Sequence, residues 1–202
     1  YLDTYIEIST ITGADYNGWE NFGFYFIEEM LGVEEITMNW EFSSRADLIS
    51  FLGVPTDNSV ISILEPLGNN VQGLIGEGSA AVLGDNNIWL GSLLEIEPTS
   101  GYWIILAADA TTNAIVYYSI EAYPTNPNTQ YNLHESLNLI SYIGPDGLGL
   151  DEALPDEIEM NIITLSTTSN AAMRNEDGNW IGSLTTWNVL TGYWANVFID
   201  GD

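Results

Sequence analysis

The side chain best suited to proton transfer at neutral pH in this 202-residue chain is His134, its only histidine. One imidazole cannot build a two-histidine zinc site. With no cysteine there is no thiolate ligand, thiol nucleophile or disulfide framework either. A Ser-His-Asp triad would have to form around His134, and nothing like Gly-x-Ser-x-Gly accompanies it. Paired carboxylates of the glycosidase kind carry no information, because 29 acidic residues put acids everywhere. Asn-Glu-Asp-Gly-Asn at 175–179 and Asp-Gly-Asp at 200–202 look like pieces of oxygen-ligand loops. Neither has the Asp-x-Asp-x-Asp-Gly spacing with a distal Glu. No catalytic residue, resident metal or cofactor is expected, and the chain is not read as an enzyme. Weak binding of Ca²⁺ or another divalent cation by the general carboxylate field is expected.

Against those 29 acids stand only Arg45 and Arg174, giving a formal net charge of -27. Two cations cannot neutralise a phosphate track, so nucleic acid is excluded as a partner, and an anionic membrane surface on the same ground. No apolar run approaches the roughly 20 residues that cross a bilayer, so membrane insertion is not expected. The charge suits a solubilising surface in salty surroundings, where a short Debye length screens self-repulsion. A polyanionic face for divalent cations or a basic partner is the alternative. The chain begins at Tyr1 without an initiator Met or a signal peptide, so a processed chain or a piece of a longer one is expected.

The elements that would position any site repeat themselves. Leu48-Ile49-Ser50-Phe51 returns as Leu139-Ile140-Ser141-Tyr142, and Ala80-Ala81 as Ala171-Ala172. Trp89-Leu90-Gly91-Ser92-Leu93 returns as Trp180-Ile181-Gly182-Ser183-Leu184, and Gly101-Tyr102-Trp103 as Gly192-Tyr193-Trp194. Every pair is 91 positions apart, the mark of a tandem duplication. The same register pairs Trp40 with Tyr131, Phe42 with Leu133, and His134 with Ser43. A base that one copy has and the other lacks is read as incidental to chemistry.

The fold class expected is mainly β with short helices: two tandem β-rich α+β units behind an amino-terminal hairpin. The divisions are 1–36 for the hairpin, 37–107 and 130–202 for the units, and 108–129 for an added strand and a Pro/Asn linker. In the first unit, "ADLISFLG", "VQGLIGEG", "AAVLG", "IWLGSL" and "YWIILA" read as strands, and "DNSVISILEPLG" as a helix capped by Asn58 or Ser59. In the second, "LDEALPDEI" reads as a shorter helix ended by Pro155.

Trp89 and Trp180 should begin strands, with Gly91 and Gly182 letting another backbone or ring approach and Ser92 and Ser183 tying a backbone group. Gly101 and Gly192 should take a positive φ in the turn before the last strand. Tyr102-Trp103 and Tyr193-Trp194 should place one ring on each sheet face. These rings read as core and cover, with a glycan-binding platform as the competing use.

Residues 1–35 have no second copy. Phe22, Phe24 and Phe26 would lie on one face of a strand, with Tyr25 and Ile27 on the other. A strand apolar on both faces must be covered, either by its own chain or by a neighbouring subunit.

The "NLISY" strand, the short helix, Trp-Ile-Gly-Ser-Leu and the closing Gly-Tyr-Trp together resemble a tandem repeat module. That module belongs to secreted surface proteins of marine bacteria and to virion structural proteins of marine cyanophages. The resemblance spans both units and implies an extracellular scaffold with no catalytic residues to carry over. The expected function is therefore a structural subunit of a surface filament or layer, or of a virion exterior, that assembles with itself or with other subunits. The alternative is a carbohydrate-binding adhesion module.

Overall fold

A computed structural model of the chain describes residues 34–199 apart from 113 and 155. Phe22, Phe24, Tyr25, Phe26 and Ile27, with the hairpin expected around them, lie outside the described residues. The chain is mainly β, as composition and patterning lead one to expect, and its strands form three antiparallel sheets.

The first five-stranded sheet contains β2 (Ala46–Ser50), β4 (Val71–Gly76), β5 (Ser79–Leu83), β6 (Trp89–Gly91) and β7 (Gly101–Leu106), in the order β2-β7-β4-β5-β6. The second contains β9 (Ser136–Ile140), β10 (Ile162–Ser166), β11 (Ala171–Arg174), β12 (Trp180–Gly182) and β13 (Tyr193–Val197), in the order β9-β13-β10-β11-β12. Strand for strand this is one arrangement written twice, and the registers agree at an offset of 91. Ile49 faces Tyr102 as Ile140 faces Tyr193. Ala81 faces Gly91 as Ala172 faces Gly182. Even the register shift falls at twin positions, between Val71 and Gly73 and between Ile162 and Thr164.

Alternation along the last strand of each sheet explains the Tyr-Trp pair. Tyr102 and Tyr193 point inward and are buried, while Trp103 and Trp194 point outward and are half-buried. Gly91 and Gly182 have φ of 138° and 146°. A Cβ on either would collide with a carbonyl oxygen of the adjoining strand, Ala80 or Ala171. Gly101 and Gly192 correct the expectation of a positive φ, for neither has one. They are small because two backbones meet there. A Cβ on Gly101 would lie 2.7 Å from the Ile140 carbonyl oxygen, and one on Gly192 would lie 2.7 Å from that of Ile49.

The third sheet, β1-β8-β3, joins β1 (Ile36–Phe42) and β3 (Gly53–Val54) to the strand that follows the first unit, β8 (Val116–Pro124). It covers the first core: Trp40 of β1 stacks on Tyr118 of β8 at 4.9 Å and meets Phe51 edge-on at 5.4 Å. The Tyr118 hydroxyl donates to the Ile63 carbonyl at 2.6 Å, tying this sheet to the first helix. The twin of β1 around Tyr131 and Leu133 is not a strand. β1 pairs along its whole length with β8, and no described strand stands in that place beside 131–133. Tyr131 and Leu133 still pack on the second core. Trp187, twin of Ile96, stacks on Tyr142, twin of Phe51, at 5.1 Å and packs on Tyr193 at 4.6 Å.

Helix α1 (Val60–Leu64) is capped by Ser59, whose hydroxyl accepts the Ser62 N–H, and runs into a 3-10 segment, Glu65–Asn70. Helix α2 (Asp156–Glu159) corrects the reading of Pro155 as a terminator: the helix begins after that position. A proline has no N–H to offer and a φ already near the helical value, so it suits the start of a helix better than its end.

Candidate functional site at the face between the repeats

The most elaborate polar geometry among the described residues lies where the two repeats meet, and it is built twice about an approximate two-fold axis. The Leu48 N–H donates to the Thr168 hydroxyl at 2.9 Å, and the Leu139 N–H to Glu77 Oε2 at 2.7 Å. Thr168 and Glu77 are twins, at the tips of the β10–β11 and β4–β5 hairpins. The Ser50 N–H donates to the Leu190 carbonyl and the Ser141 N–H to the Thr99 carbonyl, both at 3.1 Å. Bridges join Ile49 to Thr191 and Ile140 to Ser100. The fully buried hydroxyls of Ser50 and Ser141 donate to the carbonyls of Thr191 (2.9 Å) and Pro98 (2.5 Å) in the other repeat. Gly101 and Gly192 sit close to the axis, where side chains would force the repeats apart.

Two clefts flank this seam, of about 350 and about 230 Å³. The larger is lined by Glu77, Glu95, Glu97, Tyr102, Tyr131 and His134 among others, the smaller by Trp40, Asp47, Thr168 and Leu190. In the larger, His134 Nδ1 lies 2.8 Å from its neighbour's carbonyl, Glu135 O, and Nε2 lies 2.5 Å from Glu77 Oε1. Both ring nitrogens face oxygen acceptors, so the geometry suits an imidazolium donating two protons. Such a ring has no lone pair to act as a base. The Glu135 carbonyl first and the Glu77 carboxylate second push its pKa above the ordinary value near 6.5.

The stability this clamp supplies is fully present below the unfolded pKa and is lost as pH rises through the folded one. An NMR titration of the ring should give a midpoint above 6.5, and Glu77→Gln should lower it. A wild-type midpoint at or below 6.5 would remove the clamp.

The repeated motif lies mostly outside this seam. Trp89 and Trp180 open the edge strands β6 and β12 and are half-buried against their cores. Trp180 Nε1 donates to the buried Glu159 carboxylate at 2.6 Å, and the Arg174 guanidinium lies 5.9 Å over its ring. Ser183 accepts the Ala171 N–H at 3.2 Å, as expected of a residue tying the strand end, and its twin Ser92 is exposed. The buried hydroxyls of Tyr102 and Tyr193 each accept a backbone N–H at 2.7 Å, from Glu97 and Asn188. Burial raises the pKa of both.

The 175–179 turn closes on itself. Asn175 Oδ1 accepts the N–H groups of Asp177 and Asn179, and Arg174 donates twice to the Gly178 carbonyl at 2.8 and 3.0 Å. Among the described residues no cluster of three or more His, Asp or Glu side chains is placed to hold a metal ion.

Sequence reasoning missed Glu77 and Thr168. Comparing the copies highlights like with like, and these twins differ in type while doing the same job. In comparisons with protein-family models, curated proteins and solved structures, none matches the chain.

Proposed function

We propose that this chain is a non-enzymatic structural subunit of an extracellular assembly, a surface filament or layer or a virion exterior, joined to its neighbours through residues 1–35. One observation supports this reading above the rest: the glycines and tyrosines repeated between the halves do their work inside the fold. Gly91 and Gly182 admit a crossing carbonyl, Gly101 and Gly192 admit the opposite repeat, and Tyr102 and Tyr193 fill cores. Selection on a scaffold leaves that pattern. The outer edges also suit assembly, because β6 and β12 end their sheets beside exposed apolar pairs, Val82–Leu90 and Met173–Ile181, at twin positions. Sedimentation of the full chain in about 0.5–1 M salt, where its charge is screened, should show large species. Deleting residues 1–35 should reduce them to smaller units. An unchanged distribution would remove the connecting role of that segment.

A further inference from the structure

We infer that the face between the repeats is a self-complementary coupling surface through which two copies of this chain join by exchanging repeats, with Asp47, Glu77, His134 and Thr168 restricting the union to unlike repeats. The inference stands apart from the role proposed for residues 1–35.

A patch whose contacts are reciprocated about a two-fold axis is what normally joins two identical chains. Here both halves of that contact are present in one chain. A first repeat therefore fits the second repeat of another copy as well as its own. The connection that would have to be re-routed is 125–130, a polar stretch between β8 and Tyr131 and Leu133, the first residues that pack on the second core. The backbone bonds holding it are few, Thr125 N–H to Leu52 O and Thr129 N–H to Asn126 O. Exchange would keep every contact of the seam and alter only the path of the linker. The occupant is thus a second copy, bound by continuation of an interface already formed.

Symmetry alone would also allow first repeat with first, or second with second. The side chains that differ between twins discriminate. In the unlike pair, Asp47 Oδ1 accepts the Thr168 hydroxyl at 2.5 Å, and Glu77 is held between the Leu139 N–H and His134. Pairing two first repeats would put Glu77 in the place of Thr168, beside Asp47, and Ser43 in the place of His134. Two carboxylates would then meet on each side of the axis with no proton or cation between them. Pairing two second repeats would set Asn138 beside Thr168 and leave His134 without its carboxylate. Attraction on one side and repulsion on the other is how an interface selects its partner.

The chain has no cysteine, which makes a cross-linking test clean. Facing residues in antiparallel strands lie about 4.5–5.5 Å apart between Cα atoms, within the reach of a disulfide. Chains carrying Ile49→Cys and chains carrying Thr191→Cys are mixed unfolded, refolded together at high concentration in about 1 M salt and oxidised. A disulfide-linked dimer is expected. The mixture of Ile49→Cys with Ser100→Cys, which reports first repeats paired with each other, should yield at least tenfold less. Adding Glu77→Thr to both of those chains should raise the yield several-fold. No dimer from the first mixture would overturn the coupling, and equal yields from the two mixtures would overturn the selectivity. Because Ile49 is buried, light scattering of the cysteine-free chain without residues 1–35, a compact unit by itself, refolded in the same way serves as a second readout. A two-chain mass is expected there, and a solely monomeric product would count against the proposal.

Discussion

Replacing Gly182 with alanine should lower the melting temperature by roughly 5–20 °C. Two costs combine. The residue has a φ of 146°, a region that side chains rarely enter, and such strain costs about 1–3 kcal/mol. The new methyl group would also press on Ala171 O, Ala171 C and Ala172 Cα, all main-chain atoms that no rotamer change can move aside. Overpacking of that kind costs about 1–3 kcal/mol more, and at this chain length each kcal/mol is worth roughly 2–4 °C. The Ala171 carbonyl cannot swing away cheaply, because it accepts the N–H groups of both Ser183 and Leu184 at 2.8 and 3.0 Å. Gly91→Ala should lose a similar amount, since the twin site differs only by a few degrees of φ and packs on Ala80. Gly78→Ala is the control: its φ is 69° but nothing lies within 4 Å of the new methyl, so only the strain of a left-handed residue, about 1–2 kcal/mol, is expected. Melting curves for the three variants check this, and a Gly182→Ala loss no larger than that of Gly78→Ala would refute the account of close approach.

The glycines also show how much of this fold is legible in the sequence. Recurrence of Trp-x-Gly-Ser-Leu at a constant offset points to a strand whose glycine lets another backbone or a ring lie close, and at Gly91 and Gly182 that neighbour is a backbone carbonyl. Gly101 and Gly192 recur just as faithfully, yet a local turn was the wrong reason for them. Their cause is a backbone in the other repeat, and no local pattern carries a contact made across some 40–140 positions of chain. The strand 116–124 was legible as a strand, while its place between β1 and β3 was not, because alternation gives a face and not a partner. His134 illustrates a different limit. Treating it as incidental was reasonable when its twin is a serine, and a difference between copies is just what an interface joining unlike repeats requires. Glu77 and Thr168 stay hidden because their shared role, accepting the backbone N–H of a buried Leu, survives a change of residue type.

Raising the salt from about 0.01 M to about 1 M should lift the melting temperature by on the order of 10 °C, as the Debye length falls from about 30 Å to about 3 Å. The cations are already committed elsewhere. Arg45 donates to the Gln72 side chain at 3.0 Å, and Arg174 serves the Gly178 carbonyl and the Trp180 ring. Among the described residues the one contact between a cationic side chain and a carboxylate is His134 with Glu77, so the net charge of -27 is almost wholly uncompensated. Two carboxylates about 10 Å apart repel by roughly 0.4 kcal/mol in water, and folding brings many such pairs together, so several kcal/mol are at stake. If screening is the cause, sodium and potassium chloride should act alike and the rise should flatten once the Debye length is shorter than the spacing of the acids. A steep rise with millimolar Ca²⁺ or Mg²⁺ at constant ionic strength would point instead to a discrete cation site, and a melting temperature flat to within about 2 °C across the range would show that the acids lie too far apart to matter. The same screening would govern the proposed association, since chains this acidic repel one another in dilute buffer. Refolding at low salt should therefore suppress the exchanged dimer and the larger assemblies together, whereas removing residues 1–35 should suppress only the latter.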